Sequence, residues 1–525
     1  MKNYIKITAA VVALGFISCD PEFESSIEDA GFYESGTADF SNYVAVGNSL
    51  TAGYADGALY ITGQENSYPN IMAGQFAFVE GGEFTQPLVD DNLGGLLLGG
   101  TQIAENRFVL SFDAEGNPGP VRLEGTPTTD VATSATGPFN NMGVPGAKSF
   151  HLVAPGYGNA AGVPTGAANP YFARFATSPT TTVLADAVSL SPTFFSLWIG
   201  NNDILSFATS GGSGVDQLGN LDPSTYGPND ITDPNVFASV YSAQVAALTS
   251  GGAKGVLINI ADVTSIPYFT TVPFAPLSPL DPNFGPQIPT LNQTFGLLNQ
   301  AFGVLGVPER AIVFSETAAS PVVIFDEDLE NISENLTAVL IGGGLDAATA
   351  TIYGLQYGQA RQATAADLLV LTSSGVIGKV NTDRFAELVG LGLPESAAGQ
   401  LSVNGVTYPM EDQFVLTDSE QLLVANAAAA YNAVIEGLAA ANDLAFADAK
   451  ASLAEVAATG VAFNGGVLTS QFVTGGTFSL DGVHPSPRGY AYTANVIIAA
   501  INAQYGATIP TVDVGNYATV TLANN

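Results

Sequence analysis

The chain has 525 residues, of which 46% are hydrophobic and 10% aromatic. This composition supplies ample side chains for a buried core and argues against a globally disordered protein. The 48 acidic residues far outnumber the 13 basic ones, and the formal net charge is −35. Because nucleic acids and anionic lipid surfaces attract basic faces, we expect no nucleic-acid partner and no membrane docking through charge.

The N-terminal residues have the composition of a signal peptide, predicted to span 1–18. Lys2 and Lys6 precede an apolar run at residues 7–17, which is too short to cross a bilayer but suits the apolar region of such a signal. The run is followed by Cys19, the single cysteine of the chain, and the residues before it resemble a bacterial lipobox. This resemblance implies lipidation of Cys19 and an exported lipoprotein at the outer membrane or cell surface of a Gram-negative bacterium. The alternative is a chance cysteine behind the signal.

The predicted elements begin after a polar segment, 19–40, which is rich in Gly, Ser and Glu and is interpreted as a tether. Short β-type runs follow at 43–46, 193–199 and 255–260, and a helix is predicted near 236–249. The strands are near-continuously apolar, which is typical of parallel strands that are covered on both faces.

The C-terminal part continues this alternation. Thr417, with Glu420 three residues later, fits a capping box that opens a long Ala-rich helix. A buried strand is predicted at 444–447, and a last helix begins at Ser486 and Pro487, a residue pair that favours a helix start. Strands that alternate with helices predict an α/β sheet protein.

Two segments differ from the rest of the chain in composition and in predicted elements, and they are predicted to be insertions. Residues 77–129 are Gly-rich with hairpin signals. Residues 266–416 begin with a Pro-rich stretch and contain short strand-like runs at 368–371 and 401–408, and we interpret this segment as a lid or a pocket wall. The predicted organisation is a signal peptide (1–18), a tether (19–40), a catalytic domain in two parts (41–265 and 417–510), the insertion between them (266–416) and a C-terminal tail (511–525).

The histidines narrow the search for a general base, because the chain has two, His151 and His484. His484 follows Asp481 by three residues, in a loop that Pro485 stiffens. An Asp at this spacing can reach the imidazole, fix its tautomer and stabilise the imidazolium. The spacing alone is weak, since a surface loop with a capping Asp gives the same pattern. His151 has no such Asp nearby, and we interpret it as a structural or pocket-lining residue.

Three turns add to the Asp–His pair. Ser49, in a G-N-S-L turn, stands at the end of the first strand, where open α/β sheets bind ligands and a following helix offers N–H groups to an oxyanion. Gly146 ends an N-M-G-V-P-G segment read as a tight turn, in which glycines let a backbone N–H approach a substrate. Asn202, in a G-N-N-D turn, follows the second strand and offers an amide donor. Each turn alone is more often structural, but four such elements in this order are hard to attribute to chance.

With these four motifs the chain resembles the SGNH/GDSL hydrolases, whose marker blocks supply Ser, Gly, Asn and His. The resemblance implies a flavodoxin-like three-layer α/β/α fold with a parallel sheet, and an esterase, lipase or thioesterase without metal or other cofactor. It implies that Ser49 is the nucleophile, with His484 as base and Asp481 as its partner. The oxyanion hole would be formed by the N–H groups of Ser49 and Gly146 and the amide of Asn202.

The chain departs from the family pattern at Asn48, where the family usually has Asp. Asn has the same shape, so we expect its local hydrogen bonds to persist. The blocks are also unusually far apart, and the insertions lie outside the resemblance, so the resemblance does not define the substrate. A lipid, an acetylated glycan and a small ester are all open. Two alternatives to a hydrolase also remain open: an acyltransferase with the same residues, and a glycan-binding surface lipoprotein with an inactive site.

Overall fold

The structure is a computed structural model that describes residues 32–114 and 116–523. The predicted signal peptide and Cys19 lie outside the described residues. The strands are β1 (Tyr43–Gly47), β2 (Leu96–Leu98), β3 (Thr101–Ala104), β4 (Phe108–Phe112), β5 (Pro118–Arg122), β6 (Asn141–Gly143), β7 (Phe194–Trp198), β8 (Lys254–Ile258), β9 (Val323–Phe325), β10 (Ala360–Gln362), β11 (Leu368–Leu369), β12 (Val415–Leu416), β13 (Ala445–Ala447), β14 (Val461–Phe463) and β15 (Gly466–Leu468). The α-helices are α1 (Ser49–Ala52), α2 (Ile61–Glu65), α3 (Tyr68–Phe76), α4 (Pro170–Ala173), α5 (Val183–Ser189), α6 (Asn202–Thr209), α7 (Pro234–Thr249), α8 (Pro267–Thr270), α9 (Ile288–Val304), α10 (Ser333–Gly342), α11 (Ala347–Tyr357), α12 (Thr382–Gly390), α13 (Glu395–Gln400), α14 (Asp418–Ala441), α15 (Ala449–Ala458) and α16 (Pro487–Tyr505).

A parallel five-stranded sheet forms the centre of the fold, with the strand order β6-β1-β7-β8-β13. When these strands are numbered by their place in the chain, the order is 2-1-3-4-5, which is the flavodoxin-like doubly wound order. β1 and β7 lie side by side, with Tyr43 opposite Phe194 and Gly47 opposite Trp198. The predicted α/β class with a parallel sheet is therefore confirmed.

The sheet is covered on both faces because successive side chains of a strand point to opposite sides. Val44 and Val46 of β1 belong to a core that includes α7 and α14. Tyr43 and Ala45 of the same strand belong to a second core, which includes α3 and α16. These two cores make the fold a three-layer α/β/α sandwich, and they explain why the strands are near-continuously apolar.

The edge strand β6 differs from the prediction, which placed a single tight turn at 141–146. β6 pairs in parallel with β1, with Ala45 opposite Asn141 and Gly47 opposite Gly143. Three residues are too few to show a strand periodicity in the sequence, so the neighbouring strand decides this conformation. The tight turn follows the strand, and Gly146 has the left-handed φ of +80°.

The predicted starts of the last two long helices are confirmed. At α14, the Thr417 N–H donates to Glu420 Oε2 at 2.7 Å. At α16, Ser486 Oγ accepts from the Gly489 N–H at 3.1 Å, and Pro487 is the first helical residue.

Within the described ranges, α14 is the one helix long and apolar enough to cross a membrane by length and composition. It packs a buried stripe that includes Tyr431 into the core of the domain, as a core helix does.

The insertion 266–416 has a hydrophobic core of its own. Phe302 of α9, Leu336 of α10 and Tyr357 of α11 belong to one buried cluster that is drawn from residues 272–415. A strand is present at Leu368–Leu369, within the predicted run at 368–371. The predicted strand at 401–408 is wrong, because this segment closes on itself in a turn with an isolated bridge from Asn404 to Tyr408.

The described part of the predicted tether, 32–40, is packed on the domain, and this corrects the tether boundary. The Glu34 N–H donates to Thr508 Oγ1 at 2.8 Å, and the Thr37 N–H donates to the Tyr505 carbonyl at 2.9 Å. Phe40 is 1% exposed and belongs to the same core as α3 and α16. Although the segment is polar in composition, a few apolar residues such as Phe40 pack it against the domain.

The insertion 77–129 contains the predicted hairpins, β2–β3 and β4–β5. The C-terminal tail packs against the second of them. The Leu110 N–H donates to the Thr521 carbonyl at 2.8 Å, and the Ala523 N–H donates to the Leu110 carbonyl at 2.8 Å. These contacts hold the hairpin beside the carboxyl ends of the sheet strands, where it lines the candidate site.

Candidate active site

Two predicted site residues meet at the carboxyl edge of the sheet. Ser49 follows β1 and Asn202 follows β7, and these strands are parallel neighbours. In the 2-1-3-4-5 order the chain reverses its direction of winding between these two strands, and a crevice forms there. Ligands of doubly wound sheets bind in this crevice, outside the carboxyl ends of the strands.

Ser49 is the first residue of α1, in a turn whose geometry depends on its neighbours. A Cβ at Gly47 would lie 2.4 Å from the Trp198 carbonyl oxygen, so only glycine allows β1 to end beside β7 in this way. Asn48 caps the helix through Oδ1, which accepts from the Leu50 N–H at 3.0 Å. Asn48 Nδ2 donates to Asn201 Oδ1 at 3.2 Å and ties the first turn to the third.

Ser49, His484 and Asp481 form one hydrogen-bonded chain. His484 Nε2 lies 2.9 Å from Ser49 Oγ, across 435 positions of the sequence. His484 Nδ1 lies 2.9 Å from Asp481 Oδ2. An imidazole held between a hydroxyl and a carboxylate can take the hydroxyl proton while the carboxylate fixes its tautomer. The structure thus brings together Ser49 of the G-N-S-L turn with the Asp481 and His484 pair that its three-residue spacing pointed to.

The Asp481 carboxylate is surrounded by N–H donors. Oδ1 accepts from the N–H groups of Val483 at 2.9 Å and His484 at 2.8 Å, and Oδ2 accepts from the Gly57 N–H at 2.9 Å. Burial by itself would raise the pKa of Asp481, but the His484 ring and the N–H groups of Val483 and His484 outweigh it and lower the pKa to about 2. The carboxylate is therefore ionised at any ordinary pH and available to stabilise an imidazolium.

A second carboxylate, Asp56, supports this loop and was missed by the sequence analysis. Its N–H donates to Ser479 Oγ at 2.9 Å, and its Oδ1 accepts from the Leu480 N–H at 2.9 Å. Ser479 Oγ in turn donates to Asp481 Oδ1 at 3.1 Å. The Tyr60 hydroxyl donates to Asp56 Oδ2 at 2.8 Å.

The backbone at Asp56 is unusual for a non-glycine residue, with a φ of +53°. Asp tolerates this left-handed conformation better than most residues. Asp56 is 2% exposed, and burial raises its pKa, against the effect of the Leu480 N–H and the Tyr60 hydroxyl. The Asp-Gly dipeptide at 56–57 is a turn signature and was the one sequence signal that could have drawn attention to this residue.

The candidate oxyanion donors are available. In the part of the chain that the structure describes, the N–H groups of Ser49 and Gly146 have no hydrogen-bond partner. Asn202 Nδ2 donates one proton to the Ala147 carbonyl at 2.9 Å, which leaves the second proton of the amide free. Gly146 lies beyond the end of β6 and is exposed, and a Cβ there would make only an ordinary contact, 3.9 Å from Asn169 Nδ2.

Two cavities open beside His484 and Asn202, and Gly146 lines neither of them. The first, called the narrow cavity here, has a volume of about 120 Å³ and is lined by Ser49 and by side chains of α15 and α16. The second, called the wide cleft, has a volume of about 1050 Å³, and both insertions contribute to its walls. The two share His484, Asn202, Leu205 and Val483. Residues of the insertion 266–416, among them Tyr268 and Leu371, therefore line the wide cleft.

The other histidine, His151, makes structural contacts away from Ser49. Its Nδ1 accepts from the Lys148 N–H at 3.0 Å, and its ring stacks on Tyr157 with centroids 4.5 Å apart. Burial, together with the charge of Lys148, lowers the pKa of His151 to about 4. Of the two predicted roles, the structural one fits, because His151 lines neither the narrow cavity nor the wide cleft.

No family model, curated protein or solved structure matches the chain in comparisons with known proteins. Among residues 32–114 and 116–523, no group of three or more His, Cys, Asp and Glu side chains is arranged to hold a metal ion. What the site can do follows from the geometry of Ser49, His484, Asp481 and the donors around them.

Proposed function

We propose that the chain is a serine ester hydrolase of the SGNH/GDSL type. The observation that carries the proposal is the hydrogen-bonded chain from Ser49 through His484 to Asp481, with distances of 2.9 Å at both steps. The unpartnered N–H groups of Ser49 and Gly146, and the free amide proton of Asn202, support it as candidate oxyanion donors.

The proposed reaction is acyl transfer to Ser49 and then to water. His484 Nε2 takes the Ser49 proton as Oγ attacks the ester carbonyl, and Asp481 stabilises the imidazolium. The oxyanion of the tetrahedral intermediate accepts hydrogen bonds from the Ser49 and Gly146 N–H groups and from Asn202. The intermediate then collapses, the C–O bond to the alcohol breaks, and the alcohol leaves with the proton from His484. Water, deprotonated by His484, attacks the acyl-Ser49 ester; the bond from the acyl carbon to Ser49 Oγ breaks, His484 returns the proton to Oγ, and the acid is released.

The experiment that tests this proposal is active-site labelling. A fluorophosphonate probe is expected to modify Ser49, and Ser49→Ala is expected to lower kcat on p-nitrophenyl esters by about 10⁶-fold, the loss typical of a serine nucleophile. Ser206→Ala is the matched control, since Ser206 lines the wide cleft and its hydroxyl donates to the Asn202 carbonyl at 3.3 Å. Labelling of Ser206 rather than Ser49, or full activity of Ser49→Ala, would overturn the assignment.

The same labelled protein distinguishes a hydrolase from the two alternatives. A glycan-binding protein with an inactive site is expected to show neither labelling nor turnover. An acyltransferase is expected to label at Ser49 but to give an ester rather than a free acid when an alcohol is added. We expect the free acid as the main product in water, and chromatography of the products decides between these outcomes.

We also propose that the mature protein is an exported lipoprotein anchored through Cys19. The proposal is supported by the two lysines, the apolar run and the lipobox-like residues before Cys19. Mass spectrometry of the native N-terminus is expected to show an acylated Cys19. An unmodified N-terminus at another residue would contradict it.

A further inference from the structure

The narrow cavity is an apolar space directly beside the candidate nucleophile. It extends from Ser49 between α15 and α16, and its walls include Leu453 and Val456 of α15 and Val496 and Ile497 of α16. A space with such walls favours an apolar ligand, because transfer of apolar surface out of water is favourable.

The wide cleft has a different character. Four aromatic side chains line it, together with hydroxyl side chains and the guanidinium of Arg122, which lies 3.7 Å from the centroid of the Phe108 ring. Its volume of about 1050 Å³ is roughly nine times that of the narrow cavity. Rings with adjacent polar groups suit a bulky group that is partly polar. The aromatic residues are Tyr54, Phe108, Tyr268 and Phe472.

The proposed reaction decides which part of an ester enters which space. The acyl group becomes bonded to Ser49, and Ser49 lines the narrow cavity but not the wide cleft. The alcohol takes its proton from His484, and the wide cleft is lined by both His484 and Asp481. The two spaces meet at His484 and Asn202, where the scissile bond would lie.

We infer that the narrow cavity binds the acyl chain, that its size selects chains of about four to six carbons, and that the wide cleft takes a larger alcohol group. An apolar cavity of about 150 Å³ holds one benzene molecule, so about 120 Å³ suits a chain of this length. This inference rests on the proposed hydrolase function. It makes the substrate a short-chain ester of a bulky alcohol, rather than a long-chain lipid.

The test measures kcat/KM on p-nitrophenyl esters from acetate to dodecanoate. In the unmodified protein, kcat/KM is expected to rise about fourfold for each added methylene that the cavity buries, and to stop rising near six carbons. Val496→Phe, which fills the cavity, is expected to lower kcat/KM on the hexanoate by about tenfold or more while acetate is still hydrolysed. Leu453→Ala, which enlarges it, is expected to move the limit to longer chains.

Leu371→Ala is the matched control, because Leu371 lines the wide cleft and not the narrow cavity. Its acyl-length limit is expected to equal that of the unmodified protein. Thermal denaturation and the rate of Ser49 labelling by a fluorophosphonate establish that each variant is folded, and Val496→Phe remains informative if Leu453→Ala does not fold.

The outcomes separate this inference from the function on which it rests. If Ser49 is labelled and esters are hydrolysed, but neither Val496→Phe nor Leu453→Ala moves the length limit, the acyl-cavity inference is wrong and the hydrolase stands. If the limit moves in Leu371→Ala instead, the acyl chain occupies the wide cleft. If no ester is hydrolysed and Ser49 is not labelled, the hydrolase proposal fails and the inference fails with it.

Discussion

The Gly57 N–H donates to Asp481 Oδ2 at 2.9 Å, across 424 positions of the chain. Gly57 stands in the turn that follows the Ser49 helix, whereas Asp481 begins the loop that carries His484. This hydrogen bond and the neighbouring bond from the Leu480 N–H to Asp56 Oδ1 join the two halves of the candidate site. The position of the imidazole relative to the Ser49 hydroxyl therefore depends on residues 56 and 57.

Asp56 is predicted to be a positioning residue for the proposed reaction. In Asp56→Ala the Leu480 N–H loses its acceptor, and we expect kcat to fall by up to about 10²-fold with little change in KM, because the imidazole shifts relative to Ser49. Asp56→Asn keeps an oxygen for that N–H and tolerates the φ of +53°, so it is expected to recover most of the activity. Steady-state kinetics of both variants check this; a change in KM alone, or equal losses in both, would contradict it.

Asp481→Asn is predicted to lower kcat by about 10⁴-fold while the protein stays folded. The N–H groups of Val483 and His484 would attract the amide oxygen of Asn, which turns its NH₂ group toward His484 Nδ1. The imidazole would then carry its proton on Nε2 and could not accept one from Ser49. Kinetics with a circular dichroism spectrum of the variant check this prediction, and near-normal turnover would show that Asp481 does not orient the base.

The lowered pKa of Asp481 predicts a pH dependence of stability. The folded pKa of about 2 lies below the ordinary value of 3.8, so the carboxylate contributes stability that is complete above the ordinary value and is lost as the pH falls toward 2. We expect the melting temperature of the unmodified protein to fall more steeply over that acidic range than that of Asp481→Asn. Parallel acid-dependent curves for the two proteins would contradict this expectation.

Single mutants of the two histidines are predicted to show which of them is the general base. His484→Ala is expected to abolish turnover, whereas His151→Ala is expected to lose stability, through its Lys148 and Tyr157 contacts, but to keep most activity. A general base must be neutral, so activity is expected to decline in acid, once the base is protonated.

The acid decline should persist in His151→Ala. Because the pKa of His151 is lowered to about 4, its ring stays neutral through the mildly acidic range and cannot cause the decline. The check is the pH profile of kcat/KM for the unmodified protein and for His151→Ala. Loss of the decline in His151→Ala, with His484→Ala still active, would make His151 the base.

Asn202→Ala is predicted to lower kcat by about 10²–10³-fold with little change in KM, since the amide would act on the oxyanion that forms in the transition state. The variant also loses the hydrogen bond from Asn202 Nδ2 to the Ala147 carbonyl. Thermal denaturation therefore accompanies the kinetics, to separate a loss of stability from a loss of transition-state binding. An effect confined to KM would assign Asn202 to ordinary substrate binding.

Composition and local patterns were enough to predict the class of the fold and the residue types of the site. The strands at Tyr43–Gly47, Phe194–Trp198 and Lys254–Ile258 could be predicted because strands covered on both faces are near-continuously apolar. The candidate base could be narrowed to two residues because the chain has only two histidines. Asp481 could be predicted as a partner because its three-residue spacing from His484 is a local pattern. Signals of this kind reside in composition and in short-range spacing.

Contacts between segments that are distant in the sequence could be seen only in the folded chain. β6 is a strand because β1 offers it hydrogen-bond partners, not because of its three residues. Residues 33–40 and 521–523 are fixed by contacts with α16 and β4, which no local pattern encodes. Asp56 supports Asp481 because the fold brings together segments more than 400 positions apart. Contacts at such separations depend on how the whole chain packs, and the narrow cavity between α15 and α16 exists only once that packing is complete.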